Sequence, residues 1–184
     1  MPGPIDILKH EHRIIERGLR ALDGICERLG SGQPVPPEAL SQMLNFIHTF
    51  ADRCHHQKEE THLFPTLQQH GVPLEGGPIG VMLYEHEVGR RLVAELDHAA
   101  NAYQSGDAQA GPRFAENGRS YIQLLAMHIH KEDNILFKIA EHVLDESTQA
   151  SLGKAFEQAE AELGEGTHEE FEHIATALER TWAL

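Results

Sequence analysis

The sequence predicts an all-α protein, an up-down-up-down four-helix bundle followed by two additional C-terminal helices. Three observations carry that expectation. Apolar residues recur at three- and four-residue spacing almost throughout the 184 residues, and no stretch alternates for long. Two breaks rich in glycine and proline, GSGQPVPP and GVPLEGGP, divide the pattern into long segments. Part of the pattern also occurs twice, as it would if one helical hairpin had been used two times.

The elements follow in order. A first helix is expected from about Asp6 to Leu29, with Asp6 as its N-cap. A second covers about Pro37 to His70. A third covers about Ile79 to Gln104, with Pro78 suited to its first turn. After the short turn SGD, a fourth helix runs to about Leu144. Residues 1–145 are thus expected to form the bundle. Residues 146–184 are expected to be a helical appendage packing on the same domain, with helices at about Glu146–Leu163 and from Thr167. In the last of these, THEE reads as a capping box of Thr167 with Glu170.

Composition removes several function classes. The net charge is −14 with only 15 Lys and Arg, and no basic run occurs, so neither nucleic acid nor a membrane surface is an expected partner. The opening MPGPIDILKHEH has no basic or long apolar stretch of a signal peptide. Cys26 and Cys54 fall in helical segments and read as reduced thiols of a cytoplasmic protein. Histidine is the outlier, with 14 copies spread along the chain.

The repeat organises the histidines. Glu11-His12 reappears 74 residues later as Glu85-His86. His55, Lys58, Glu59, Leu63 and Phe64 reappear 73 residues later as His128, Lys131, Glu132, Leu136 and Phe137. Helical rotation of about 100° per residue then sorts faces. Around His128, the residues Tyr121, Leu124, Leu125, Ile135 and Ile139 fall within about 60°, Glu132 lies at about 40° and Asp133 at about 140°. His12 is flanked by Ile5, Leu8, Ile15 and Leu19, with His10 on the far side. His86 is flanked by Ile79, Met82, Leu83 and Val93. On the second helix two registers compete, His55 with Glu59 or His56 with Glu60. The stripe of Leu40, Leu44, Ile47, Ala51 and Cys54 lies closer to His55, and the repeat pairs His55 with His128. His55 and Glu59 are therefore the expected pair, and His56 and Glu60 the alternative.

One inward histidine is ordinarily a core residue bonded to a carbonyl. Four, one per helix, with two inward glutamates, would be costly to bury without a cation. Helix lengths place all six in one layer: His12 lies roughly 26 Å from the end of its helix, and the other three match. Imidazole and carboxylate without thiolate suit Fe, Mn or Zn, and two glutamates able to bridge suggest two metals. Iron is the first choice because exchangeable positions suit oxygen chemistry.

Four motifs, KHEH at 9–12, HHQKEETHLFP at 55–65, YEHE at 84–87 and HIHKEDNILF at 128–137, resemble the hemerythrin HHE cation-binding family over about residues 5–140. The resemblance implies a hemerythrin-like four-helix bundle around two Fe ions, an oxo- or hydroxo-bridged di-iron centre, with Zn or Mn less favoured. Its ligands would be His12, His55, Glu59, His86, His128 and Glu132. This sequence departs from oxygen-carrying members in two respects. Those members use five histidines, with an HxxxH pair on the third helix, whereas Met82 and Arg90 flank His86 here. Their last carboxylate would correspond to Asp133, whereas the helix angle favours Glu132. Arg90 faces inward and Glu16 holds the equivalent place after His12. The two are expected to pair across the core, or Glu16 to serve as a ligand.

The remaining conspicuous histidines receive ordinary readings: His48 and His62, which could line an access channel, as buried or boundary residues, His168 and His173 as surface residues. Cys54 reads as a buried structural thiol. Three functions are compatible with this reading. The first is a di-iron protein that binds or reacts with O2, peroxide or NO in sensing or stress defence, with a redox partner where turnover requires one. The second is iron storage or delivery, including iron–sulfur cluster repair. Family members with that role usually carry a cysteine-bearing N-terminal segment, which this chain is expected to lack. The third is a Zn-stabilised structural or partner-binding bundle.

Overall fold

The computed structural model describes residues 2–164 and 166–184. It is built from six helices: α1 (Pro4–Gly30), α2 (residues 37–69), α3 (Pro78–Gln104), α4 (residues 110–143), α5 (Glu146–Leu163) and α6 (Thr167–Trp182). No strand occurs among the described residues, and none of their helices is long and apolar enough to cross a membrane.

Pro4, Pro37 and Pro78 open their helices, where the missing N–H costs nothing. Two expected caps are corrected. Gly3 precedes α1, and its N–H donates to Asp6 Oδ2 at 3.0 Å, so Asp6 sits one turn inside and reaches back. Gly166, with φ of 80°, precedes α6. The Thr167 hydroxyl donates to Gly164 O at 2.8 Å rather than accepting from the helix, so no Thr167–Glu170 box forms. Asp145 caps α5 by accepting from the Thr148 N–H at 2.8 Å.

Two helices are not uniformly α-helical. Within α2, Ile47–His56 and Glu59–Leu63 are π-helical; within α4, Glu132–Leu136 is. A π-turn bonds i to i+5, so neighbouring residues are separated by a smaller angle than in an α-turn. That change of phase places Ile135, expected in the inward stripe, in solvent at 53% exposure.

The buried apolar residues form two clusters rather than one. The smaller gathers Ile5, Leu8, Leu63, Phe64, Leu67, Ile79, Met82, Leu136 and Phe137. The larger gathers Ile15, Leu22, Met43, Phe50, Leu96, Phe114 and Leu125 among others. His12, His55, His86 and His128 lie along the helices between them. The C-terminal pair belongs to both clusters: α5 lays Leu152 and Phe156 into the smaller, and α6 lays Phe171, Ala175 and Leu178 into the larger. Arg17 Nη1 donates to Thr176 Oγ1 at 3.0 Å and Arg20 Nε to Glu179 Oε1 at 2.6 Å, tying α6 along α1.

The α1–α6 approach requires glycine. A Cβ on Gly24 would lie 1.7 Å from the Trp182 carbonyl oxygen, a backbone atom that cannot rotate away. Gly24→Ala is expected to destabilise the protein by about 1–3 kcal/mol through forced separation of the helices. Gly153→Ala in α5, where a Cβ meets nothing within 4 Å, is expected to stabilise by about 0.5–1 kcal/mol. Urea denaturation of the two variants beside the parent checks both signs.

Candidate metal centre

The layer between the two apolar clusters holds five histidines and two glutamates. His12, His55, Glu59, His86, His128 and Glu132 are at most 1% exposed, and His56 is 5% exposed. Their ligand atoms form two groups, each within 4.8 Å: His12, His55, Glu59 and Glu132, and His56, Glu59, His86 and His128. Glu59 belongs to both. The two registers that competed on α2 thus both contribute a histidine, because the π-helical turns let His55 and His56 face the same layer.

The inward atoms are spaced as donors around ions would be. His12 Nε2 and His128 Nε2 lie 3.1 and 3.2 Å from Glu132 Oε2. His55 Nε2 lies 3.5 Å from Glu59 Oε1, and His86 Nε2 lies 3.4 Å from Glu59 Oε2. Metal bonds of roughly 2.1 Å at right angles put adjacent donors about 3 Å apart. Both oxygens of Glu59 and of Glu132, and Nε2 of His12, His55 and His56, have no hydrogen-bond partner. Such orphaned atoms are rare in a protein interior and cost several kcal/mol unless a ligand satisfies them.

The outward ring nitrogens explain why the inward ones are free. His12 Nδ1 donates to Asp133 at 2.7 Å, His55 Nδ1 to Glu11 at 2.8 Å, His86 Nδ1 to Glu60 at 2.6 Å and His128 Nδ1 to Glu85 at 3.0 Å. Each carboxylate fixes the tautomer and aims the Nε2 lone pair inward. His86 Nε2 and His128 Nε2 then stand 3.1 Å apart, a pairing of lone pairs that a shared cation relieves. The same carboxylates are held by cations: Glu11 by Lys58, Glu85 by Lys131, Asp133 by Arg13, and Glu60 and Asp52 by Arg90.

Glu60 and Asp133, weighed as alternative ligands, therefore sit outside the layer and orient His86 and His12. The expected Glu16–Arg90 pair does not form. Arg90 Nη2 lies 2.8 Å from both Asp52 and Glu60, two acceptors on α2. Glu16 lies 3.4 Å from Arg13 with its side chain 34% exposed, so it is not a ligand either. His48, expected at least partly buried, is 47% exposed and bonds Asp97 at 2.9 Å. His168, expected at the surface, is only partly exposed: α6 brings its Nε2 to 3.6 Å from Glu11. Sequence reasoning did not assign roles to Glu11, Glu85 or Asp52. The repeated Glu-His dipeptide was the available signal for the first two. Asp52 had none, because its place beside His56 depends on the π-turn.

Titration follows from this charge arrangement. Burial raises the Glu59 carboxyl well above its usual range, and the Glu132 charge adds to that. Burial opposes ionisation of Glu132 too, but the His128 charge with His12 beside it holds that carboxyl well below the usual range. Burial pushes His55 down to about 3 and also lowers His56 and His86. His128 rises to about 9 against its burial, because Glu132 and Glu85 favour the cation. His12 is raised against burial by Asp133 and Glu132. The layer attracts positive charge, as protons or as metal.

Comparison with known families matches residues 3–140 to the hemerythrin HHE cation binding domain. The chain belongs to the hemerythrin HHE cation-binding family. It is similar to an uncharacterized protein of Mycobacterium tuberculosis, 27% identical over 158 residues, covering 86% of this chain and 61% of that one. It is also similar to the iron-sulfur cluster repair protein YtfE of Escherichia coli, 31% identical over 131 residues, covering 70% of this chain and 58% of YtfE. The chain spans about three fifths of the length of these curated relatives. The histidine pair on α3 is absent here, and the His56 ring of α2 stacks on His86 with centroids 3.9 Å apart.

Lys58 is 1% exposed and its ammonium is clamped by Glu11 and Glu160. Lys58→Met is expected to cost about 3–5 kcal/mol by leaving the buried Glu11 charge without its ammonium partner. Lys131→Met, at a side chain 30% exposed, is expected to cost about 1 kcal/mol or less. Denaturant titration of the two variants at equal metal loading measures the difference.

Proposed function

We propose that this protein holds two iron ions in a non-haem centre and binds or reacts there with O2, hydrogen peroxide or NO. The observation that carries the reading is the pair of four-donor groups joined through Glu59. His12 and His55 would hold one ion, His56, His86 and His128 the other, with Glu59 and Glu132 between them. The orphaned oxygens of both glutamates support that bridging role. Neither group includes a thiolate, and mixed imidazole and carboxylate suit iron, with zinc or manganese less favoured. Bound iron would supply exchangeable coordination positions and a one-electron couple.

The chain's own residues would do the rest. The outer carboxylates keep each imidazole in one tautomer and one orientation. The apolar clusters on both sides exclude bulk water, which strengthens every interaction in the layer. The bundle of residues 1–145 is read as up-down-up-down, with residues 146–184 packed on it.

A second reading is iron delivery for iron–sulfur cluster repair, favoured by the likeness to YtfE. Elemental analysis of untagged protein, with visible spectra before and after dithionite and air, tests the first. About two irons per chain and charge-transfer absorption that bleaches and returns are expected. Colourless protein rich in zinc, with no spectrum after anaerobic Fe(II) loading, would sink it. Transfer of iron to an apo iron–sulfur acceptor faster than release to a chelator would favour repair. His56→Ala is expected to lower iron retained under chelator challenge from two to about one per chain. Ile129→Ala, at the position the repeat pairs with His56, is expected to retain two.

A further inference from the structure

The internal repeat relates the outer faces of the two hairpins as well as their histidines. On the first hairpin, α5 and α6 lie over the face around the Glu11–Lys58 pair. Glu160 of α5 gives Lys58 a second carboxylate, and the Lys58 ammonium stands 5.8 Å from the centre of the Phe156 ring. Phe156 also lies 6.2 Å from His62 between ring centres, and His168 of α6 stacks on His10. Ile7, His10 and Cys54 line a crevice with Glu160 and His168.

The same positions on the second hairpin are bare. Moving 74 residues along from α1 and 73 from α2 turns Ile7, His10, Cys54 and His62 into Val81, Tyr84, Met127 and Ile135. Those four are 47%, 68%, 60% and 53% exposed. Among the described residues, the other exposed large apolar side chains are Leu74 and Leu184. Exposed apolar surface therefore concentrates where the first hairpin has α5 and α6. The four also frame one ion pair. Glu85 bonds Lys131, the counterpart of Glu11 with Lys58. Val81 and Tyr84 lie within one turn of Glu85, and Met127 and Ile135 lie one turn before and after Lys131. Isolated apolar residues are ordinary on a surface, whereas a contiguous patch marks a contact.

Charge indicates which partner fits. The chain carries −14 overall, yet this face is close to neutral. Lys131 is bonded to Glu85, and Arg91 pairs with Glu87 on its own helix at 3.3 Å. Gln123 and Asn134, the exposed neighbours of Met127 and Ile135 on the outer side of α4, are uncharged. A strongly charged partner finds no complement here, and a second copy of this acidic chain finds no repulsion. The face also complements itself. Gly89 lies beside Leu124 and Glu85 beside Lys131, so α3 and α4 run antiparallel. A two-fold axis along these helices sets α3 of each copy over α4 of the other. Tyr84 of one copy then meets Met127 and Lys131 of the other. A ring against a thioether and an ammonium is a favourable contact, and it repeats what Phe156 does for Lys58.

We propose that the α3–α4 face around Glu85 and Lys131 is the interface of a homodimer, with α3 of each copy packed on α4 of the other.

Sedimentation velocity of the metal-loaded full chain, with metal content matched between samples, tests this. The parent is expected to show a concentration-dependent monomer–dimer equilibrium. Met127→Glu and Tyr84→Asp are each expected to weaken the dimer roughly tenfold or more, by burying a charge in the interface. Leu184→Glu, at the exposed residue beyond α6, is expected to leave it unchanged. Mixing Tyr84→Cys with Met127→Cys protein and adding a short bismaleimide is expected to link unlike chains in preference to like ones, since Cys26 and Cys54 are buried. A parent that is monomeric at every concentration would overturn the second copy as occupant. A dimer indifferent to both Met127→Glu and Tyr84→Asp would overturn the face, and preferential linking of like chains would overturn the axis.

Discussion

Two carboxylates, Glu59 and Glu132, are completely buried next to each other, and the rest of the structure depends on that placement. Taking a carboxylate out of water costs several kcal/mol even after relaxation, and a second one beside it adds repulsion. Among the described residues no lysine or arginine reaches either of them; Arg13, Lys58, Arg90 and Lys131 are spent on the outer carboxylates. Seven carboxylates (Glu11, Asp52, Glu59, Glu60, Glu85, Glu132 and Asp133) stand against Arg13, Lys58, Arg90 and Lys131. The family to which the chain belongs is defined by cation binding, and the layer supplies the physical reason.

The outer shell shows how the repeat is used. Within each half, the glutamate of the Glu-His dipeptide receives the Nδ1 proton of the histidine on the next helix: Glu11 from His55, Glu85 from His128. Between halves, the acid after the inward glutamate receives the proton of the other half's first histidine: Glu60 from His86, Asp133 from His12. The two hairpins therefore orient each other's ligands, and neither half could preorganise its histidines alone. Only His56 breaks the symmetry, since the repeat places Ile129 opposite it. The asymmetry gives two imidazoles to one donor group and three to the other.

The C-terminal helices are connected to the same network. Glu160 of α5 holds Lys58, and His168 of α6 approaches Glu11, whose other oxygen accepts from His55. Glu11 is held far below its usual carboxylate range because the nearby His168, the hydrogen bond from His55 and the Lys58 charge outweigh its burial. The helices that follow the family domain thus bear on the orientation of a histidine in the centre.

The sequence by itself determined the helices, their lengths and one inward histidine on each of the first four. Periodicity, proline and glycine are local signals, and a helix of known start fixes which residues share a face. His12, His86, His128 and Glu132 were legible for that reason, and Glu59 through the repeat. Three things were decided only by tertiary structure. The phase of α2 at His55 and His56 was one, because a π-turn changes the angle between neighbours and leaves no compositional mark. The partner of Arg90 was another: periodicity says which way a side chain points, not which carboxylate on another helix is nearest. The third was the role of residues 146–184, whose contacts with Lys58 and Glu11 join positions more than 100 residues apart. Local rules carry direction along one helix. Distances between helices follow only once all of them have packed.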